Sequence, residues 1–437
     1  MSMTSESTSL EGIAAVAQAR GSLVARLLPL VRRYALSAGG PLTTSAAHFI
    51  TSMILLQALA PADFGLFAFL LIVVPFCLSL SGSLVAAPFV CDLRRTGRVE
   101  AASQATHLKV NLVLSALAAV VVGAAIAVNG AGPITSLLLG LYGGVMVLRA
   151  FGRSCGYVLD RPARVLASDV TYGTSLVLGL AALMALGALT MVHAAAVLLA
   201  AALLGFVSLG RHHLARQLLP GRAGGLRDYA GSWRELARWA MMGVVLTEFT
   251  TNAHAYVVTF IAGPKAFALL ALGALVMRPA SLVLSALPDI ERPRMAKKIG
   301  TNDISGAFRT VTEFRYAAIA IWLGTLALAA AILGWFPELL LKKGYDETQV
   351  LMVVALWGVI LAVRTLRTPE SVLLQAAGEF RALAGVSLWS SLTAMTLTLA
   401  LLRAFGPVAA LGGILAGDLV MAVRIHALTA RWKVRHD

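Results

Sequence analysis

Five polar side chains stand where an apolar helix has least use for them. Thr247 to Phe260 reads TEFTTNAHAYVVTF inside a stretch that otherwise has the composition of a membrane span, and it carries Glu248, Asn252 and His254. His48 lies in TTSAAHFITS and Arg278 in ALVMRPASLV, each again amid small and apolar residues. A charged group at the bilayer centre costs about 2.5–3.5 kcal/mol on insertion scales, so such a residue faces a cavity or a partner rather than lipid. At a helical rise of ~1.5 Å per residue, His48, Glu248 and Arg278 fall within roughly 5 Å of one another in depth. Thr44, His48, Thr51 and Ser52 share one helical stripe, and Glu248, Thr251, Asn252 and Thr259 share another. Arg278 directly precedes Pro279. Proline removes a helical hydrogen bond and disturbs the carbonyl four residues back, so a kink is expected beside the guanidinium.

The chemistry this arrangement offers is a hydrated chamber in which an arginine receives an anionic head group. The guanidinium suits phosphate because its planar fork makes two parallel hydrogen bonds. The candidate substrate-binding residues are Arg278, Glu248, His48, Asn252, Thr44 and Thr251. The competing reading is a buried Glu248–Arg278 ion pair that only joins helices, with His48, Asn252 and His254 bonding between helices. Asp418, about ten residues into the last apolar window, is a second central charge. Asp418 and Glu248 are the candidates for coupling to an ion; Asp418 serves equally as a partner for a neighbouring helix.

The elements that position these groups follow from composition. Of 437 residues, 59% are hydrophobic and 13% charged, with a mean hydropathy of +0.82. Soluble domains average roughly 45–50% apolar and about 25% charged. A single core cannot absorb the excess, because cores stop growing beyond ~250–300 residues. Lipid is therefore the solvent for most of the chain, and helices that satisfy their own backbone are expected. Twelve apolar windows fall at 41–59, 64–90, 108–129, 134–157, 168–190, 193–210, 239–262, 266–288, 316–336, 350–366, 382–402 and 408–428. With the N-terminus in the cytosol, 31 of the 36 Lys and Arg lie in inner segments, four in outer loops and Arg278 in mid-span. That asymmetry accounts for the net charge of +15 without nucleic acid and puts both termini in the cytosol. Arg149, Arg364 and Arg424 read as snorkelling residues at span ends, with Arg149 and Arg364 also placed to line an inner vestibule.

The fold class predicted is an all-α polytopic membrane protein of twelve transmembrane helices, in two six-helix bundles around a central cavity. Its parts are a cytosolic segment 1–40 containing an interfacial amphipathic helix (LVARLLPLVRRYAL), a bundle 41–210, a cytosolic linker 211–238, a bundle 239–430 and a tail 431–437. An internal repeat supports the division. PADFGLFAFLLIVVP from Pro61 and PKAFALLALGALVMRP from Pro264 each follow a polar span and carry a second proline, Pro75 or Pro279. Repeats of this kind place substrate sites between halves near the midplane. No GxxxxGK[ST] or HExxH occurs, and Cys77, Cys91 and Cys155 form no metal pattern, so no cofactor, metal or catalytic residue is predicted.

The stretch LTTSAAHFITSMILLQALAPADFGLFAFLLIVVPFCLSL resembles the opening of the Wzx-type polysaccharide repeat-unit flippases of the multidrug/oligosaccharidyl-lipid/polysaccharide exporter superfamily. The L-x-P-x-x-F-G-x-[FY] turn is Leu59 to Phe67 here, and LLQAAGEFRALAGVSLWSSLTA resembles the family's Q-A-x-G-x-x-R region. The likeness extends diffusely over residues 41–430. It implies a V-shaped pair of bundles, with helices one, two, seven and eight around the cavity. It implies alternating-access transport of undecaprenyl-diphosphate-linked oligosaccharides in the bacterial inner membrane, with membrane lipids and the polysaccharide polymerase and export machinery as partners. The branch that extrudes drugs also has twelve spans. The alternatives are therefore a cation-coupled extruder of the same superfamily, or a membrane polymerase or scaffold of polysaccharide assembly, which would need a large outer loop.

Overall fold

The structure, a computed structural model, describes residues 39–96, 100–218, 224–340 and 345–436. Among the described residues, twelve helices, one of them broken, occupy the twelve predicted windows. They are α1 (39–58), α2 (Pro61–Leu93), α3 (Ala101–Val128), α4 (Pro133–Val158), α5 (Pro162–Ala185) and α6 (Met191–Val207), then α7 (Arg238–Ala262), α8 (Pro264–Val276 followed by Arg278–Gly300), α9 (Ile304–Trp335), α10 (Glu347–Ala376), α11 (Phe380–Phe405) and α12 (Ala410–His436). Eight of these are long and apolar enough to cross a membrane alone, and the two halves of α8 pass that test together. Helices α1 and α7 carry the polar runs described above, and α6 is a shorter apolar helix. The chain is a multi-pass membrane protein. The predicted amphipathic segment before α1 lies outside the described residues.

Local chemistry explains the starts and stops. Proline occupies the first turn of α2, α4, α5 and both halves of α8, where its missing N–H is no loss. Asp303 and Asp346 cap α9 and α10 by accepting from the amides of Gly306 and Gln349 at 2.8 and 3.3 Å. Helix ends fall on two faces. One carries most of the Lys and Arg and is called the basic face; the other holds the short connections.

Helices α3 and α4 approach closely along Gly123, Gly140 and Gly144, and Ser115 donates to the Gly144 carbonyl at 2.8 Å. Helices α11 and α12 do the same along Gly413 and Gly417, where Ser390 donates to the Gly417 carbonyl at 2.9 Å. Small residues serve this role in membranes because dispersion between close backbones replaces the hydrophobic drive. Helices α1–α6 and α7–α12 meet chiefly where α2 runs against α7 and the first half of α8. There a Cβ on Gly65 would collide with the Pro264 carbonyl oxygen, so the two proline turns of the repeat touch backbone to backbone.

The repeat is not exact. Pro75 sits inside an uninterrupted α-helical stretch, and the irregularity of α2 comes later, as a π-helical turn at Gly82–Ala86. In α8 the helix breaks at Met277, and the halves bend by 62°. The segment Leu226–Ala237 leads into α7 through a second π-helical turn, Trp233–Ala237, which lies against the first. Tyr229 secures this segment by donating to the Leu84 carbonyl, and burial pushes its phenol up to about 12, so it stays a donor.

Candidate functional site

The break in α8 puts Arg278 at the first position of the second half-helix. Two cavities share its side chain. One, of about 150 Å³, is lined on α1 by Thr44 and His48, on α4 by Tyr142, Arg149 and Arg153, and on α2 by Pro75 among others. The other, of about 140 Å³, is lined by Ser52 of α1, Asn252 and His254 of α7, Phe267 of α8 and Trp357 of α10. Leu71 borders both. The first lies toward the basic face and the second toward the short-loop face, so Arg278 stands at the waist of one chamber. Among the described residues it makes no hydrogen bond or ion pair. The predicted kink at Pro279 and the guanidinium beside it are both present.

The ion pair weighed against this reading is absent. Glu248 Oε1 accepts from Asn252 Nδ2 at 3.1 Å and from the Tyr256 hydroxyl at 2.7 Å, and the carboxylate lines neither cavity. Equal depth did not mean a shared chamber here, because Glu248 is on the flank of α7 that carries Tyr256. Thr251 also lines neither cavity. Asn252 reaches the chamber from the same helix, half-buried. His254 is buried at its wall, edge-on to Trp357 with ring centroids 5.4 Å apart.

On α1, Thr44 and His48 face the chamber as their shared stripe predicts, and Thr44 Oγ1 and His48 Nδ1 are buried without a partner among the described residues. His48 Nε2 is 3.1 Å from the Tyr172 hydroxyl, which is 2.9 Å from that of Tyr142. Arg149 lies over the Tyr172 ring at 4.5 Å from its centroid. It also pairs with Asp169, which Arg153 holds on its other oxygen at 2.9 Å.

Snorkelling at a span end therefore does not describe Arg149: it is 2% exposed, turned inward and fixed by a carboxylate that is 0% exposed. Local reading offered Arg149 as snorkelling or as lining an inner vestibule, and missed its grouping with Arg153, Asp169, Tyr142 and Tyr172. The available signal was Asp169 itself, a lone acid in the apolar window of α5. Two lone pairs on one buried carboxylate call for two donors. The three guanidinium groups of Arg149, Arg153 and Arg278 against the Asp169 carboxylate leave the first cavity, the lower one on the basic side, with two positive charges.

Asp418 is away from both cavities. Arg364 Nε and Arg367 donate to its two oxygens, each at 2.8 Å, from α10 to α12. Beside it Glu370 accepts from Arg315 at 2.6 Å and lies 3.3 Å from His426. Arg364 thus joins helices rather than lining either cavity.

Helices long and apolar enough to cross a membrane thus surround interior cavities at the break in α8. Among solved structures a similar fold is found in transporters of the MOP superfamily. The chain superposes on an inward-facing multidrug-resistance MATE-family transporter of that superfamily with a TM-score of 0.71 and 12% identity, over 90% of this chain and 95% of that one. It superposes on the lipid II flippase MurJ in an inward closed conformation with a TM-score of 0.67 and 12% identity, over 89% of this chain and 86% of that one. An outward-facing MATE-family transporter gives 0.58 at 12% identity, over 92% and 94%. No family model matches the chain, and no curated protein sequence does. These structural neighbours are transporters and a flippase rather than enzymes.

Proposed function

We propose that the protein is a flippase for undecaprenyl-diphosphate-linked oligosaccharide repeat units, working by alternating access in the bacterial inner membrane with both termini in the cytosol. In this reading α1–α6 and α7–α12 are two bodies that rock about the chamber. The observation that carries it is the unpaired guanidinium of Arg278 at the head of a half-helix. Such an end carries roughly half a positive charge from its free amides and favours anions. Broken helices in transporters aim these ends at anionic substrate groups. With Arg149 and Arg153 across the lower cavity, the charge suits a diphosphate, and the Thr44, His48 and Asn252 side chains offer donors and acceptors to a sugar. Polymerase and export machinery would receive the product.

A cation-coupled extruder would instead present a free carboxylate to the chamber. Among the described residues the two candidates are engaged elsewhere, Glu248 by Asn252 and Tyr256, and Asp418 by two arginines. The test is made in cells. Deleting the protein should cause the complete lipid-linked repeat unit to accumulate in the cytosolic leaflet, and Arg278→Ala at normal protein level should reproduce at least a tenfold loss of export. Normal delivery of the repeat unit to the periplasm in the deletion strain sinks the reading, and resistance to cationic drugs that tracks expression favours the extruder.

A further inference from the structure

Beside the chamber, on the seam between α2 and α7, runs a separate apolar groove of about 280 Å³. Phe69, Val73 and Phe76 of α2 form one wall, Leu114 and Ala118 of α3 a second, and Tyr256 of α7 a third. Its rim is open toward the membrane: Leu117, Val121 and Phe260 are 55%, 46% and 52% exposed. The partition between groove and chamber is one side chain thick. Phe69 meets Tyr256 and Phe260 edge-on at 5.6 and 5.7 Å on the groove side, and Phe267 at 6.3 Å on the chamber side. The polar link between the two spaces is the Glu248 carboxylate, which accepts from Asn252 of the chamber and from Tyr256 of the groove on the same oxygen.

We infer that this groove holds the isoprenoid chain of a lipid-linked substrate whose diphosphate occupies the chamber. The inference rests on the function proposed above. A substrate with its charge beside Arg278 must lead its hydrocarbon out between the two sets of helices. The α2–α7 seam offers an apolar surface separated from the chamber wall by the Phe69 side chain, with an exposed rim. Hydrophobicity alone does not choose the occupant, because bilayer chains are as apolar as the groove. Tethering does: a chain attached to a bound head group is present at high effective concentration, whereas bilayer acyl chains only compete by mass action.

The experiment uses the full chain in nanodiscs and two photoreactive probes. One is a radiolabelled polyprenyl diphosphate with a diazirine on its third isoprene unit; the other is phosphatidylethanolamine with a diazirine on its acyl chain. The diphosphate probe should label peptides containing Val73 and Leu114, unlabelled undecaprenyl diphosphate should compete, and Arg278→Ala should lower the labelling at least fivefold. Ala118→Trp, which fills the groove without touching the chamber, should abolish that labelling while total probe bound stays within twofold. The phosphatidylethanolamine signal should not respond to Arg278→Ala. Labelling of the α1–α8 side instead, or groove labelling equal in wild type and Arg278→Ala, overturns the inference and leaves the groove to bilayer lipid. Total diphosphate binding that ignores Arg278→Ala overturns the function proposed for the chamber, and this inference with it.

Discussion

Two of the buried carboxylates, Asp169 and Asp418, each fix two arginines. Asp169 accepts from Arg149 and Arg153, and the chamber's positive charge depends on their staying in place. Removing one partner of a buried pair costs on the order of 3–5 kcal/mol, because the remaining charge is left uncompensated. Asp169→Ala strands two guanidiniums, one of them in a dry setting. The expected result is a sharp loss of folded protein, seen as a lower midpoint of thermal aggregation in detergent. Arg278→Ala should behave oppositely, since Arg278 has no protein partner to strand: normal stability, lost transport. Equal midpoints for Asp169→Ala and wild type would show that the arginines are held by something else. Of this arrangement the sequence made legible the place of Arg278 at a helix break. Arg278 announces itself by an adjoining proline and an apolar surround. Arg149 does not, because its turn inward is set by an acid on another helix twenty residues on, and local periodicity carries no record of that pairing.

At the scale of elements, the decisive feature is the broken α8. Span positions were legible to within a few residues at most ends because lipid thickness and the lack of water impose length and apolarity on every crossing helix. The break was legible too, since Pro279 has no N–H for the carbonyl four residues back and its ring crowds that carbonyl. What was not legible is that Pro75, placed alike in the repeat, leaves α2 unbroken while Pro279 accompanies a 62° bend. A proline lowers the cost of a bend, and the neighbouring helices decide whether one forms. Pro279→Ala restores the missing donor and should straighten α8. With a rise of ~1.5 Å per residue, spin labels at Lys265→Cys and Lys297→Cys should move apart by about 6 Å if the 62° bend is lost entirely. Transport should fall with it, because a straight helix has no half-helix amide end beside Arg278. An unchanged distance distribution would assign the bend to packing alone.

At the scale of the molecule, the two repeated proline turns meet beside the cavity lined by Phe64, Phe67 and Phe267. Gly65 sits at the tightest point of that contact, with the Pro264 carbonyl where a Cβ would be and Ala268 beyond it. Backbone cannot yield there as a flexible side chain can, so Gly65→Val must separate α2 from the first half of α8. If alternating access works by rocking about the chamber, weakening this contact favours the conformation open to the short-loop face. A shift from 1:99 to even occupancy needs only about 2.7 kcal/mol, since each factor of ten costs about 1.4 kcal/mol, and forcing bulk into a packed contact typically costs 1–3 kcal/mol. The readout is a cysteine at Ser52, which lines the cavity on that side. In a background with Cys77, Cys91 and Cys155 replaced, a membrane-impermeant maleimide added from the short-loop side should modify Ser52→Cys at least fivefold faster when Gly65 is Val. A cysteine at Ala150, which lines the lower cavity, should become correspondingly slower to react from the basic side. Opposite changes at the two positions would mean one body of helices rocking against another. Equal acceleration at both would mean that the two sides open independently, and rigid rocking would be wrong for this protein.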